Sequence, residues 1–297
     1  MMAAPYTGQQ TWLQHSIAGG ETPAYVAFDG PATGAPGHGG GGTQEEVGAG
    51  GIACDWREPY WGEGSSQGKL QSLGLLGCVI PTAVDVLPPV IALIQGGPKT
   101  DASAALEHST CYLTSTKISL KYKGALEVAH SWIALGVDDC TMTAAAAIAN
   151  SVFPWHKIVV ELGGAAYKLQ TLELELKYDA EAKGSCDEKV AGAERASEWI
   201  ALGILKASLK TSLAVPLEQT NDFRADVVDR FTFSLVATNT DATAKTLTIG
   251  GAGDGWGIQG EVKPVVAGKE DVLFEVNATG RANDLALVTF AFDDGEA

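Results

Sequence analysis

Two stretches carry the reading of this chain. Ile118-Ser119-Leu120-Lys121-Tyr122 is followed by Ser131-Trp132-Ile133-Ala134-Leu135-Gly136, and Leu174-Glu175-Leu176-Lys177-Tyr178 is followed by Glu198-Trp199-Ile200-Ala201-Leu202-Gly203. Each begins as an apolar/polar alternation of period two, the signature of a half-buried strand. Each ends in the word Trp-Ile-Ala-Leu-Gly. A supersecondary unit used twice points to a duplicated β module. The first connection, Lys123 to Ser131, suits a hairpin. The second, Asp179 to Glu198, is about twice as long and strongly polar, so one module keeps a compact turn and the other carries an arm. Trp132 and Trp199 occupy equivalent places in the two words and read as core residues. The expected organisation is one β domain over residues 50–297, built of modules at about 50–150 and 151–297. An irregular arm or linker precedes it at 1–49.

Working outward, the remaining text is mostly β. Gly51–Trp56 reads as a strand, Lys69–Leu76 as a short helix with its apolar residues on one side, and Val79–Ile94 as an extended stretch interrupted by Pro88 and Pro89. Cys111–Tyr122 and Leu126–Leu135 form the first hairpin. Met142–Ala149 is alanine-rich and predicts a second short helix, stopped near Asn150. Ile158–Leu162 is a strand, Gly163-Gly164 a turn, and Tyr167–Tyr178 the first strand of the second module. Trp199–Val215 continues as one long strand or a bent pair. Phe231–Val236, Lys245–Ile249, Val272–Val276 and Leu285–Phe292 are four more strands. Turn signals at short intervals favour an antiparallel β-sandwich or barrel with one or two short helices over a βαβ fold.

Composition narrows the function classes. A length of 297 residues, 45% of them hydrophobic, is enough for a large packed core. The formal charge of −16, with 20 scattered Lys and Arg, argues against a protein that grips nucleic acid, because phosphate binding needs clustered cations. The longest apolar run is short and proline-broken, so no membrane-inserted segment is expected. The start, MMAAPYTGQQ, lacks the basic and apolar parts of a secretory signal. Cys54, Cys78, Cys111, Cys140 and Cys186 are odd in number and form no Cys-x-x-Cys pair. They read as reduced structural thiols of a protein made in a cytoplasm.

Several motifs invite chemistry and lack its context. Gly64-Ser65-Ser66-Gln67-Gly68 matches a nucleophile elbow, which needs a strand before it, a helix after it, and a later Asp and His. Gly255-Trp256-Gly257-Ile258-Gln259-Gly260 matches a dinucleotide fingerprint, but Pro264 would interrupt the helix that must follow. The Gly37–Gly42 run lacks the Lys-Ser/Thr of a phosphate loop. His108 and Cys111 have no second pair to complete a metal shell. His130 and His156 read as packed histidines, and Asp138-Asp139 and Asp293-Asp294 as solvated turns. No catalytic residues, cofactor or metal are expected, and the chain reads as a non-enzyme.

The features in order are a Gly-initiated strand (Gly51–Trp56), a leucine-rich helix ending in Leu-Gly (Leu70–Gly77) and a Cys-x-x-x-Ser-x-x-Ile-x-Leu strand (Cys111–Leu120). Next come an aromatic strand and Gly-Gly turn (Phe153–Gly164), a central strand (Leu169–Tyr178), a long loop, Trp199–Gly203 with Ile204–Val215, and the closing strands Phe231–Val236 and Thr246–Ile249. Over residues 50–292 this order resembles the tail tube (major tail) proteins of long-tailed bacteriophages, of the two-module type. One departure is Tyr178-Asp179-Ala180, where the family usually has an Asn-Asn pair. The resemblance implies a structural protein of the virion tail. Its subunits would form hexameric rings with an inner β-barrel, stacked into a conduit for DNA. Tail terminator, distal tail and tape-measure proteins would be partners, and DNA would meet the subunit only in transit.

On that reading the polar side of the central strands faces the lumen: Lys117, Ser119, Lys121, Glu173, Glu175 and Lys177 are the candidates. Cross-strand salt pairing with Glu173 and Glu175 is expected to quench the lysines. The arm is the expected inter-ring element, through Asp179, Glu181, Lys183, Asp187, Glu188, Lys189, Glu194 and Arg195. A competing reading is a β-sandwich module that recognises carbohydrate or a host receptor, with some of the seven tryptophans and seven tyrosines as a stacking platform.

Overall fold

Alternating side chains translate directly into paired strands along most of the molecule. A computed structural model describes residues 12–17, 26–28, 32–33, 43–48, 51–57, 61–71, 75–81, 86–96, 105–140, 151–183, 199–227, 230–251, 255–260, 262, 264–267, 271–280 and 288–293. The strands in chain order begin with β1 (Trp12–Ile17), β2 (Val26–Phe28), β3 (Ala32–Thr33), β4 (Thr43–Gly48), β5 (Gly51–Arg57), β6 (Gly62–Lys69) and β7 (Ile91–Gly96). The long β8 (Ala105–Lys121) and β9 (Glu127–Cys140) follow, then β10 (Ile158–Leu162), β11 (Ala165–Lys177), β12 (Ala180–Lys183), β13 (Trp199–Leu202) and β14 (Lys206–Pro216). Helix α1 (Thr220–Asp226) is the one α-helix among the described residues. The chain closes with β15 (Arg230–Phe231), β16 (Phe233–Thr238), β17 (Thr246–Gly250), β18 (Trp256–Ile258), β19 (Pro264–Ala267), β20 (Asp271–Gly280) and β21 (Thr289–Asp293).

The protein is mainly β, an antiparallel sheet curled into a half-barrel. Its spine runs β3–β6–β9–β8–β11–β14–β20. One edge of β8 is taken by β9 throughout, while its other edge is shared: β7 pairs along 105–111 and β11 along 115–121. The start of β11 leaves the spine and pairs with β10, which leads through β16 and β17 to β21. One hydrophobic core joins the two layers. It holds Ile118, Leu120, Leu174, Leu176, Leu209 and Phe274 from the spine, and Val160, Leu162, Leu235, Leu247 and Ile249 from the second layer. Helix α1 plugs one end: Phe223 is fully buried with Tyr167 and Phe274, ring centroids 4.8 Å away in each case.

The β10–β11 hairpin shows a local rule at work. Leu162 pairs with Ala165 across a two-residue loop, and both loop residues, Gly163 and Gly164, have positive φ (62° and 86°). That left-handed pair matches the strand twist, and only glycine adopts it without strain. Nothing lies within 4 Å of a Cβ built on Gly164, so Gly164→Ala isolates the backbone term. Chemical denaturation is expected to show a loss of about 1–2 kcal/mol.

Several expectations need correction. None of the described residues of Lys69–Leu76 is in an α-helix. Lys69 ends β6, and a single 3-10 turn spans Leu76–Cys78. Leu75, Leu76 and Val79 are all fully buried, so the apolar run packs as a turn inside the core and not as one stripe of a surface helix. Residues 12–48, read as irregular, contribute β1 to β4. β1 extends the sheet beyond β7, and β4 pairs with β5. Of the two readings of Trp199–Val215 the bent pair holds, as β13 and β14. The Met142–Ala149 helix lies outside the described residues.

The duplicated words take on a new meaning in the register. Leu113–Tyr122 and Leu169–Tyr178 match best at a separation of 56 residues, and the cross-strand pair Ile118↔Leu174 has that same separation. Two antiparallel strands paired in this way are related by a local two-fold axis through that pair. The axis also superposes the neighbours, β9 on β14, because each flanks its strand on the far side. The partner of Trp132-Ile133-Ala134 in this arrangement is Leu213-Ala214-Val215, not Trp199. The second Trp-Ile-Ala-Leu sits in β13, paired with β12. Trp199 is accordingly 45% exposed where Trp132 is 2% exposed, which corrects the expectation that both are core.

Candidate functional site

The spine presents two unlike faces. On the inner one Ile118, Leu120, Leu172, Leu174, Leu176, Leu209 and Leu213 are buried. The outer one is polar across five adjacent strands, because each strand alternates and the registers are aligned. One row reads Lys117, Glu175, Ser208, Thr279; the next reads Glu127, Ser119, Glu173, Lys210, Asn277; a third reads Lys121, Thr171, Ser212, Glu275. The six residues singled out on β8 and β11 therefore share one continuous face. The face extends onto β14 and β20, whose contribution was missed. The signal was present in Lys206-Ala207-Ser208-Leu209-Lys210-Thr211-Ser212, an alternation like that of β11.

The charges on this face nearly balance. Lys117, Lys121, Lys177, Lys206 and Lys210 stand against Glu127, Glu173, Glu175 and Glu275, in a chain whose net charge is −16. Lys117 lies opposite Glu175 in the register, yet its ammonium reaches diagonally to Glu173 at 2.9 Å. Lys210 approaches the same carboxylate at 3.7 Å. The hydrogen bond from Lys117, reinforced by the two ammonium charges, holds the Glu173 carboxyl below its ordinary pKa against the opposing effect of burial. Its side chain is 34% exposed, so the pairing contributes at most about 1 kcal/mol. A depressed folded-state pKa means that this stability is present above the unfolded carboxylate value of about 4.3 and is lost as pH falls through the lower folded value. Glu173→Gln is expected to flatten the stability–pH curve below about pH 5, measured by urea unfolding across pH 3–7.

At one end of the face Lys177 and Lys206 are directly opposed, an unfavourable like-charge pair. Asp179 relieves it by an ion pair with Lys206. The hydrogen bond and charge of Lys206, with a further contribution from Lys177, lower the Asp179 pKa. Beyond this point the ribbon of β11 and β14 bends. The Gly203 amide donates to the Asp179 carbonyl at 2.7 Å, and β12 and β13 continue as a separate two-stranded arm. Of the arm candidates, Asp179, Glu181 and Lys183 are placed here, with Lys183 and Glu181 paired at 3.3 Å. Asp187, Glu188, Lys189, Glu194 and Arg195 lie outside the described residues.

The arm folds back over the end of the polar face. Tyr112, Ile133 and Ile200 are buried together, with Leu135, Ala180, Ala182, Leu202, Trp61 and Val90 around them, in a cluster distinct from the main core. Beneath the arm's base is a hollow of about 700 Å³ walled by Glu63, Ser65, Thr114, Ser131, Lys177 and Asp179. A second, smaller depression of about 310 Å³ lies mid-face between Lys121, Glu173, Lys210 and Glu275. No protein-family model matches the chain, and no curated protein matches it.

The motifs of the sequence fall in structural places. Gly64–Gly68 lies within strand β6, with Ser66 buried, so it is no strand-to-helix elbow. Residues 256–258 of the glycine-rich loop are strand β18. His108 is fully buried, edge-on to Trp132 at 5.8 Å, and desolvation lowers its pKa. His130 Nδ1 lies 2.9 Å from the Thr116 hydroxyl, and His156 is exposed. Among the described residues no three His, Cys, Asp or Glu are grouped to hold a metal ion.

Proposed function

We propose that this chain is a structural subunit of a phage tail tube, one that self-assembles into stacked hexameric rings around a conduit for DNA. The observation that carries the proposal is the charge-balanced polar face spread over five aligned strands of a curved sheet, with an apolar core behind it and an arm at one end. Six curved sheets joined edge to edge make a closed barrel and leave no open edges, which is how a β protein polymerises without random aggregation. A wall that conducts DNA must touch phosphates weakly. Glu173 held between Lys117 and Lys210 serves that need by keeping the lysines engaged with a carboxylate of the wall. Rings would stack through the arm, and the tail terminator, distal tail and tape-measure proteins would be the neighbours of the polymer in the virion tail.

Negative-stain electron microscopy of the purified protein, together with light scattering across a concentration series, tests this reading. Rings or filaments are expected. A monomer at every concentration would count against the tube, and a monomer that binds glycans on an array would favour the sandwich-module alternative. Within an assembled tail, the double substitution Glu173→Lys and Glu175→Lys makes the face strongly cationic. It is expected to slow DNA ejection several-fold, with tube length unchanged. Unchanged ejection kinetics would remove the polar face from the bore.

A further inference from the structure

The two copies of Trp-Ile-Ala-Leu touch one another. Ile133 and Leu135 of β9 and Ile200 and Leu202 of the arm belong to the same small cluster, together with Tyr112. The word in the arm and the word in the body are thus complementary surfaces carried by a single chain. The arm is joined to the body by short breaks only, Tyr178-Asp179 on one side and Gly203–Leu205 on the other. Ala180, Ala182 and Ile200 belong to this small cluster alone, while Leu202 also touches the main core. Two large apolar side chains, Trp199 at the start of β13 and Ile204 just beyond its end, stay 45% and 65% exposed in this position, so the described residues do not finish covering them.

We propose that the arm is an exchangeable element: in the assembled protein the arm of one copy seats on the Tyr112–Ile133–Leu135 patch of a second copy, and a single chain satisfies that patch with its own arm. The proposal rests on the self-assembly reading and adds the identity of the socket. Exchange repeats every contact of the closed chain, so little apolar surface is gained or lost in the step itself, as in domain swapping. What differs is the hinge, where β12 and β13 swing out to prolong the β11–β14 ribbon, and the burial of Trp199 and Ile204 against the neighbour. The self-seated arm occupies the socket a neighbour needs. It therefore acts as a cap that holds the free subunit back until concentration or a growing end displaces it.

The test mixes two full-length variants, Ile133→Cys in isotope-labelled protein and Ile200→Cys in unlabelled protein, and oxidises the mixture after assembly. Mass spectrometry of the digested oligomer is expected to find the labelled residue-133 peptide joined to the unlabelled residue-200 peptide. Leu135→Cys with Ala182→Cys repeats the test at half-buried positions if the first pair folds poorly. A chain carrying both cysteines of a pair, oxidised as a monomer, is locked closed and is expected to lose at least ten-fold in assembly, with recovery on reduction. Oligomers without the mixed peptide, or tubes grown from locked chains, overturn the exchange and leave the tube reading standing. Protein that stays monomeric and shows no mixed peptide overturns both.

Discussion

Replacing Trp132 with alanine is expected to cost about 3–5 kcal/mol, the largest single-residue effect in the molecule. The indole is 2% exposed and sits where β9 crosses between β6 and β8, so its removal empties the space between three strands. The facing position has no side chain: a Cβ on Gly64 would stand 2.2 Å from Trp132 Cζ2. Gly64→Ala therefore forces the ring or the strand aside, at about 1–3 kcal/mol. The two changes are coupled. With Trp132 already truncated, a methyl at position 64 enters an emptied space, and the double variant is expected to be more stable than the sum of the two losses predicts. Trp132→Phe is the informative intermediate, because the indole N–H finds no hydrogen-bond acceptor and its removal relieves a buried polar group while volume is lost. Urea unfolding of the four proteins measures the cycle. Additive losses would mean that Gly64 is not held small by Trp132.

On the proposed tube reading, shortening the connection between Lys183 and Trp199 to Asn-Gly is expected to give folded subunits that no longer form long tubes. Lys183 and Trp199 are a paired position in the β12–β13 ladder, and a two-residue Asn-Gly loop closes such a pair in the twist that strands prefer. The arm's seat on Tyr112 and Ile133 stays covered, so stability measured by thermal unfolding is expected to change little. The connection removed carries five of the eight charged residues assigned to stacking, Asp187, Glu188, Lys189, Glu194 and Arg195. Electron microscopy is expected to show single rings or short stacks in place of filaments. Filaments of ordinary length would strip the connection of any stacking role.

Period-two alternation made the spine readable. Lys117 to Lys121 and Glu173 to Lys177 lie on one face because each strand is half-buried, and the sequence announces a half-buried strand. Lys206 and Lys210 are equally legible, since Lys206 to Ser212 alternates in the same way. Shared letters do not encode register. Trp199 lies in an arm paired only with β12, and Trp132 lies between β6 and β8, a difference made by long-range pairing that no local pattern reports. The helix expected at Lys69–Leu76 fails for a related reason: Leu70, Leu75 and Leu76 are all buried, in a strand end and a tight turn, so their one-sided spacing reports burial and not a helix face. Of the strands in residues 12–48, β1 (Trp-Leu-Gln-His-Ser-Ile) and β4 (Thr-Gln-Glu-Glu-Val-Gly) do not alternate, and β2 and β3 span only three and two residues.

The two-fold axis through Ile118 and Leu174 has a consequence for any polymer made from this subunit. A wall whose central four strands look the same when turned end over end has no intrinsic sense of direction. The turn after Tyr122 and the arm after Tyr178 lie at opposite ends of that wall, in places the axis would exchange, and they are not alike. Growth polarity, which sets the end that grows and the end that waits, would then be written in that one inequality between a five-residue turn and a long arm.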